Sequence, residues 1–172
     1  MKIAVVCANG KVGKLVVKEA MKRGLDVTAI VRGENKSLAE HTIIKDLFDL
    51  KKSNLDSFDT VVDAFGTWNP ESLPQHSTSL KKLCDLLSGT NKRLIVVGGA
   101  GSLYVNPEHT LQLMDTPDFP DMFKPLASNM GKALEELRSR DDVRWTYISP
   151  AGDFRADGEK LSLIHISEPT RH

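Results

Sequence analysis

The chain carries no excess of either charge: 23 Lys and Arg stand against 23 Asp and Glu among 172 residues. A surface without a net sign does not by itself draw a protein to nucleic acid or to anionic lipid, so any partner has to be recognised locally. Cysteine is scarce. Cys7 and Cys84 show no CxxC spacing and have no His cluster beside them, which argues against a disulfide framework or a zinc site and leaves no metal site expected. A reducing cytoplasm is the expected location. No run of about 18 apolar residues occurs, and the start MKIAVVCANGK is too weakly apolar for a signal peptide, so a soluble protein without a membrane span is expected. Internal repeats, low-complexity segments and linkers are also lacking. What is present is globular composition, 40% hydrophobic and 27% charged, in a chain long enough for one domain that buries roughly 70% of its unfolded surface.

The end of the chain breaks with what precedes it. The segment LSLIHISEPTRH follows the polar stretch GDFRADGEK abruptly, and its first eleven residues are the translation of a transposon-type sequencing adapter. Residues 161–172 are therefore expected to be a non-native tail, and residues 1–160 a nucleotide-binding domain incomplete at its C-terminus. Removing the tail takes away Arg171 and Glu168 and leaves the charge balance unchanged.

Strand and helix signals alternate along the rest. Apolar, β-branched runs at Lys2–Cys7, Asp26–Val31, Thr42–Lys45, Thr60–Phe65, Arg93–Val97 and Val143–Ser149 predict six strands. Between them, helical spacing predicts a helix through Val12, Leu15, Val16 and Ala20 with Gly24 at its C-terminal cap. It predicts another over Ser77–Leu87 and a third through Leu126, Met130, Ala133, Leu134 and Leu137, with weaker helical stretches at Ser37–Glu40 and Lys51–Leu55. Continuous apolar strands between amphipathic helices indicate a parallel sheet covered on both faces, a doubly wound α/β domain. The stretch from Gly98 to Pro125 is the one long irregular segment, and loops of that length usually bind or cover a ligand.

Chemistry first shows in CANGKVG, Cys7 to Gly13, between the first strand and first helix. Gly10 lets the backbone approach a pyrophosphate, and Gly13 permits close packing of helix on strand. The free amides near Lys11 and Val12 can hold phosphate oxygens. Arg32 follows the second strand, where an NAD-specific domain carries Asp or Glu for the ribose 2′-hydroxyl; a guanidinium suits a 2′-phosphate and favours NADP(H), with NAD(H) still open. Ala64, Phe65 and Gly66 leave the fourth strand at the carboxyl edge, where open α/β sheets bind ligands.

This segment resembles the GATGxxG motif of the atypical short-chain dehydrogenase/reductases, in particular their NAD(P)H-binding, NmrA-like and flavin-reductase-like branch. Cys7 stands at the first glycine and Asn9 at the threonine. Further landmarks are AIVRG, KDLFD, VVDAFG, VVGGAGSLYV and WTYISPAGDF, so the resemblance runs through nearly all of residues 1–160. It implies a Rossmann-like fold and a cofactor cradle that includes Asn9. It also implies that Asp46 and Leu47 lie at the adenine edge, although Asp46 reads equally as a helix cap. Ala64, Phe65 and Gly66 would border the ribose and nicotinamide half, and Gly98 would also bind the cofactor.

The Tyr-x-x-x-Lys pair of many short-chain reductases is missing, since neither Tyr104 nor Tyr147 has Lys four residues on. Ser128 and Lys132 have the spacing but sit in an ordinary helix. Ser102, after the fifth strand, is the candidate catalytic hydroxyl. Hydride transfer to a flavin needs alignment more than a protein acid, and Trp68, Phe119 and Phe123 fall in loops where they can stack on a planar ring. His76 and His109 read as exposed. Two readings follow: an NADPH-dependent reductase of a flavin, quinone or similar small planar acceptor, or a non-catalytic NmrA-like redox sensor that acts through a protein partner. Ser102 and the long loop favour the enzyme. Oligomeric state is left open.

Overall fold

The first strand, β1 (Lys2–Val6), buries every residue after Lys2, which a short β-branched run can do only with cover on both faces. The computed structural model describes residues 1–152, 154 and 158, and the segment expected to be non-native, 161–172, lies outside the described residues. After β1 come α1 (Lys11–Lys22), β2 (Asp26–Val31), β3 (His41–Ile44), α2 (Lys52–Leu55) and β4 (Thr60–Asp63). Then follow α3 (Gln75–Leu87), β5 (Arg93–Val97), α4 (Lys124–Arg138) and β6 (Arg144–Ile148). All neighbouring strands are parallel, in the order β3-β2-β1-β4-β5-β6. This is a Rossmann-like sheet, whose order reverses between β1 and β4 and so opens a crevice at their carboxyl ends.

The helices divide between the faces. Val17 and Ala20 of α1 pack on Ile3, Val5, Val27, Ala29 and Val62. On the opposite face, Leu55, Leu80, Leu83, Leu87, Leu134 and Leu137 from α2, α3 and α4 cover Val6, Val61, Leu94, Val96 and Tyr147. Cover over β5 and β6 is thinner on the α1 side: Ile95 and Val97 are half-buried, and Ile148 is exposed. Among the described residues no helix is long and apolar enough to cross a membrane.

Gly24 closes α1 as its spacing predicts. Its φ is +70°, and the amides of Gly24 and Leu25 donate to the carbonyls of Met21 and Ala20, the paired bonds of a Schellman motif.

Three expectations are corrected. Ser37–Glu40 is not helical, because Asn35 takes the backbone's bonds: its Oδ1 accepts from the Ser37 amide and its Nδ2 donates to the Ala39 carbonyl. The fourth strand ends at Asp63 rather than Phe65, since the Asp63 carboxylate accepts the Phe65 amide and turns the chain away. His76 is buried at 7% exposure instead of exposed. The third helix starts at Gln75, so His76 shares a stripe with Leu80 and Leu83. The stretch after β5 is more ordered than its composition suggests. Tyr104 bridges Gln112, Asn106 Oδ1 accepts the Thr110 and Leu111 amides, and short 3-10 turns form at Leu113–Asp115 and Asp121–Phe123.

Candidate functional site

At the carboxyl end of β1 the chain turns through Cys7–Gly10 directly into α1. Gly10 caps that helix with no side-chain hydrogen bond, and its first turn holds no acidic residue. The Lys14 amide makes the first intrahelical bond, to Gly10, which leaves the amides of Lys11, Val12 and Gly13 at the open, positive end. Gly13 has to be glycine. A Cβ there would stand 2.5 Å from the Cys7 carbonyl oxygen and 2.7 Å from the Ala8 Cα. A bare cradle ending in free amides fits a pyrophosphate.

Cys7 occupies the left-handed region at φ +59°, which explains why the resembling motif has glycine at this position. Burial and the neighbouring Asp63 push its thiol up to about 12, and Arg32 opposes them. The thiol is therefore protonated and a poor nucleophile near neutral pH. Cys7 and Cys84 are both free.

The second-strand side is tied to this turn by Asn9. Its Nδ2 donates to the Glu34 carbonyl at 2.8 Å and its Oδ1 accepts the Lys36 amide at 2.6 Å. The loop carrying Arg32 is thereby docked on the glycine turn. Arg32 is exposed and near enough for its charge to act on Cys7. Asp46 is half-buried, and its Oδ1 caps the 3-10 turn Leu47–Asp49 by accepting the Phe48 amide. Leu47 is buried in the main core, so only its backbone is placed to meet a ligand at this edge.

A polar group that sequence reading missed sits behind the ends of β4 and β5. Val6, Asp63, Val96 and Tyr147 form one row across the sheet, so Asp63 lies in an otherwise apolar layer. Each polar member holds a turn at the ligand edge. Asp63 accepts the Phe65 amide at 3.0 Å, His76 Nε2 donates to the Thr67 carbonyl at 3.2 Å, and the Gly99 amide donates to the Tyr147 hydroxyl at 3.2 Å. Together with Phe65 and Gly98 they line a cavity of about 20 Å³, room for about one water molecule. Burial raises the Asp63 carboxyl to about 6, raises Tyr147 and lowers His76. Ala64 and Phe65 are half-buried and Gly66 is exposed at this edge. Gly98 proves to be a seat for Tyr147, since a Cβ there would lie 1.9 Å from the ring. The missed signal was the acid in VVDAFG, a charge inside an apolar run.

Ser102 is buried at 6% exposure in the turn after β5 and is not among the residues lining that cavity. Ser128 and Lys132 are exposed on α4, where Lys132 faces Glu136. Trp68 and Phe123 meet edge to face with ring centres 5.8 Å apart, Phe119 is half-buried, and His109 stacks on Tyr104.

Comparison with known proteins agrees with this geometry. Residues 7–171 match a family model described as NAD(P)H-binding. The uncharacterized protein YwnB of Bacillus subtilis (strain 168) is 43% identical over 163 residues, 93% of this chain and 76% of that protein. A crystal structure of a proposed NADH-flavin reductase from Streptococcus pneumoniae TIGR4 superposes with a TM-score of 0.91 at 55% identity, covering 93% of this chain and 76% of that one. The Lmo0794 protein of Listeria monocytogenes follows at a TM-score of 0.69 and 37% identity, covering 90% and 82%. With a bare glycine turn opening α1, a Rossmann-like strand order and this match, the chain belongs to the NAD(P)H-binding family.

Proposed function

We propose that the protein is an NADPH-dependent reductase of a small planar acceptor, a flavin or a quinone. The observation that carries this reading is the docking of the Arg32 loop on the glycine turn through both ends of the Asn9 amide. It holds the backbone of the Arg32 loop against the cradle, and no carboxylate is paired to Arg32 among the described residues. In this reading Lys11, Val12 and Gly13 hold the pyrophosphate by their amides, Arg32 the 2′-phosphate, and the Asp46–Leu47 turn the adenine edge. Ala64, Phe65, Gly66 and Gly98 border the nicotinamide half, and Ser102 assists at the substrate side. When bound, the reduced nicotinamide supplies a hydride. The streptococcal relative's description names NADH; Arg32 is the reason to expect NADPH here.

The test is cofactor titration. The protein should bind NADPH more tightly than NADH, and Arg32→Ala should remove most of that difference while barely changing NADH. A charge-assisted contact of this kind is worth roughly 1.5–3 kcal/mol, about ten- to more than a hundredfold in affinity. Equal affinities in the parent would defeat the NADPH assignment. Tight NADPH binding without turnover of riboflavin or menadione would instead favour the non-catalytic sensor.

A further inference from the structure

Beyond the nucleotide cradle, the described residues display an exposed aromatic surface. Trp68 is 71% exposed, Met122 79% and Phe123 36%. The two segments, the turn leaving β4 and the 3-10 turn leading into α4, meet at the carboxyl edge of the sheet through Trp68 and Phe123, and Met122 precedes Phe123 in the chain. Water-exposed apolar groups of this size, gathered rather than scattered, mark a binding surface.

The backbone beneath Trp68 is held, although its ring is not. Thr67 Oγ1 pairs with Ser72 Oγ at 2.7 Å and accepts the Asn69 amide, while the Thr67 carbonyl accepts from His76. Asn69 caps the next turn by accepting the Glu71 amide. Both neighbours of Trp68 are thus fixed, and the indole between them touches Phe123 edge to face at 73°. That contact leaves a broad indole face open. Among the described residues the indole N–H has no partner. Phe123 is set just as firmly, its amide bonded to the Pro120 carbonyl.

We propose that Trp68, braced by Phe123, is the stacking platform for the planar acceptor, and so selects conjugated ring systems over simple aldehydes and ketones. The inference rests on the reductase reading. A ring that receives a hydride through one face leaves its other face to be covered, and an open indole supplies that cover without hydrogen bonds that would narrow the choice of ring. Three side chains are too small a patch for a stable protein interface, which needs about 800 Å² from each partner. Stacking of a base on an aromatic side chain is worth about 1–3 kcal/mol, so Trp68 should contribute roughly five- to more than a hundredfold in acceptor affinity.

Riboflavin and menadione, each titrated against protein saturated with NADP+ so that no turnover occurs, test this. Riboflavin emission should be quenched on binding, and either acceptor should quench emission from Trp68. Trp145, the other tryptophan, is half-buried and bonded to the Arg140 carbonyl, so Trp68→Leu isolates the Trp68 signal. That variant should weaken both acceptors at least about fivefold, Trp68→Phe should restore much of the loss, and NADPH affinity should stay unchanged in both. A fold left intact by this exposed substitution is checked by thermal melting. Unchanged acceptor affinity in a folded Trp68→Leu protein would overturn the proposal. So would a parent that binds NADP+ but neither acceptor, or a concentration-dependent dimer abolished by Trp68→Leu in a parent that binds neither. Failure of the parent to bind NADPH would overturn the reductase reading, and riboflavin quenching that persists in that parent but is lost in Trp68→Leu would leave Trp68 standing as the ring-binding platform.

Discussion

At the scale of single residues, Cys7 shows how an exception to a motif can be read physically. Its backbone sits at φ +59°, which costs an L-residue roughly 1–2 kcal/mol and glycine almost nothing. Against that, its side chain packs on the main core, and glycine loses more chain entropy on folding. These effects nearly cancel, so Cys7→Gly should leave stability within about 1 kcal/mol of the parent. Cys7→Val, β-branched in a region such residues avoid, should lose about 2 kcal/mol or more. Urea unfolding of the two variants checks the difference, and a Val variant as stable as the Gly one would refute the backbone argument. The raised thiol pKa of about 12 adds that iodoacetamide should label Cys7 in the native protein far more slowly than a free thiol.

At the scale of elements, the six strands and the glycine turn were legible because apolar runs, spacing and local turns are properties of neighbouring residues. The cluster of Asp63, His76 and Tyr147 was not, because three separate elements meet there and only sheet register aligns Asp63 with Val96 and Tyr147. Gly98 illustrates the same limit. Its sequence context suggests approach to a cofactor, and only the fold shows that its missing Cβ also makes room for the Tyr147 ring that braces Gly99. Gly98→Ala should therefore destabilise the protein by several kcal/mol, as overpacking against a buried ring does. The same change in a Tyr147→Leu background should cost much less. A double-mutant cycle by chemical denaturation should show coupling above about 1 kcal/mol; additive losses would mean that the ring is not what excludes the methyl group.

At the scale of the whole molecule, stability above about pH 4 turns on the interior, because the surface carboxylates that ion pairs hold low, Asp85, Asp121 and Asp142, stay ionised there. Asp63 is buried, and the groups whose protonation is linked to it or that share its cavity are uncharged near neutral pH. Cys7 and Cys84 are raised to about 12, Tyr147 is also raised, and His76 is lowered. The carboxyl is held at about 6 instead of 3.8, so between these values the folded chain binds a proton that the unfolded chain has released. Stability from this group is full below about pH 4 and is lost as pH rises through about 6, on the order of 3 kcal/mol in all. His76 works in the opposite direction, resisting protonation as pH falls below 6.5, and would mask part of the trend in the parent. Asp63→Asn isolates the carboxyl, because an amide oxygen can still accept the Phe65 amide without ionising. The variant should be more stable than the parent at pH 8, with the gain falling to about a third of that at pH 4.5, as measured by urea unfolding at both. A loss at pH 8 would show that the carboxylate has a compensating partner and that the cavity behind β4 and β5 is built to hold a negative charge.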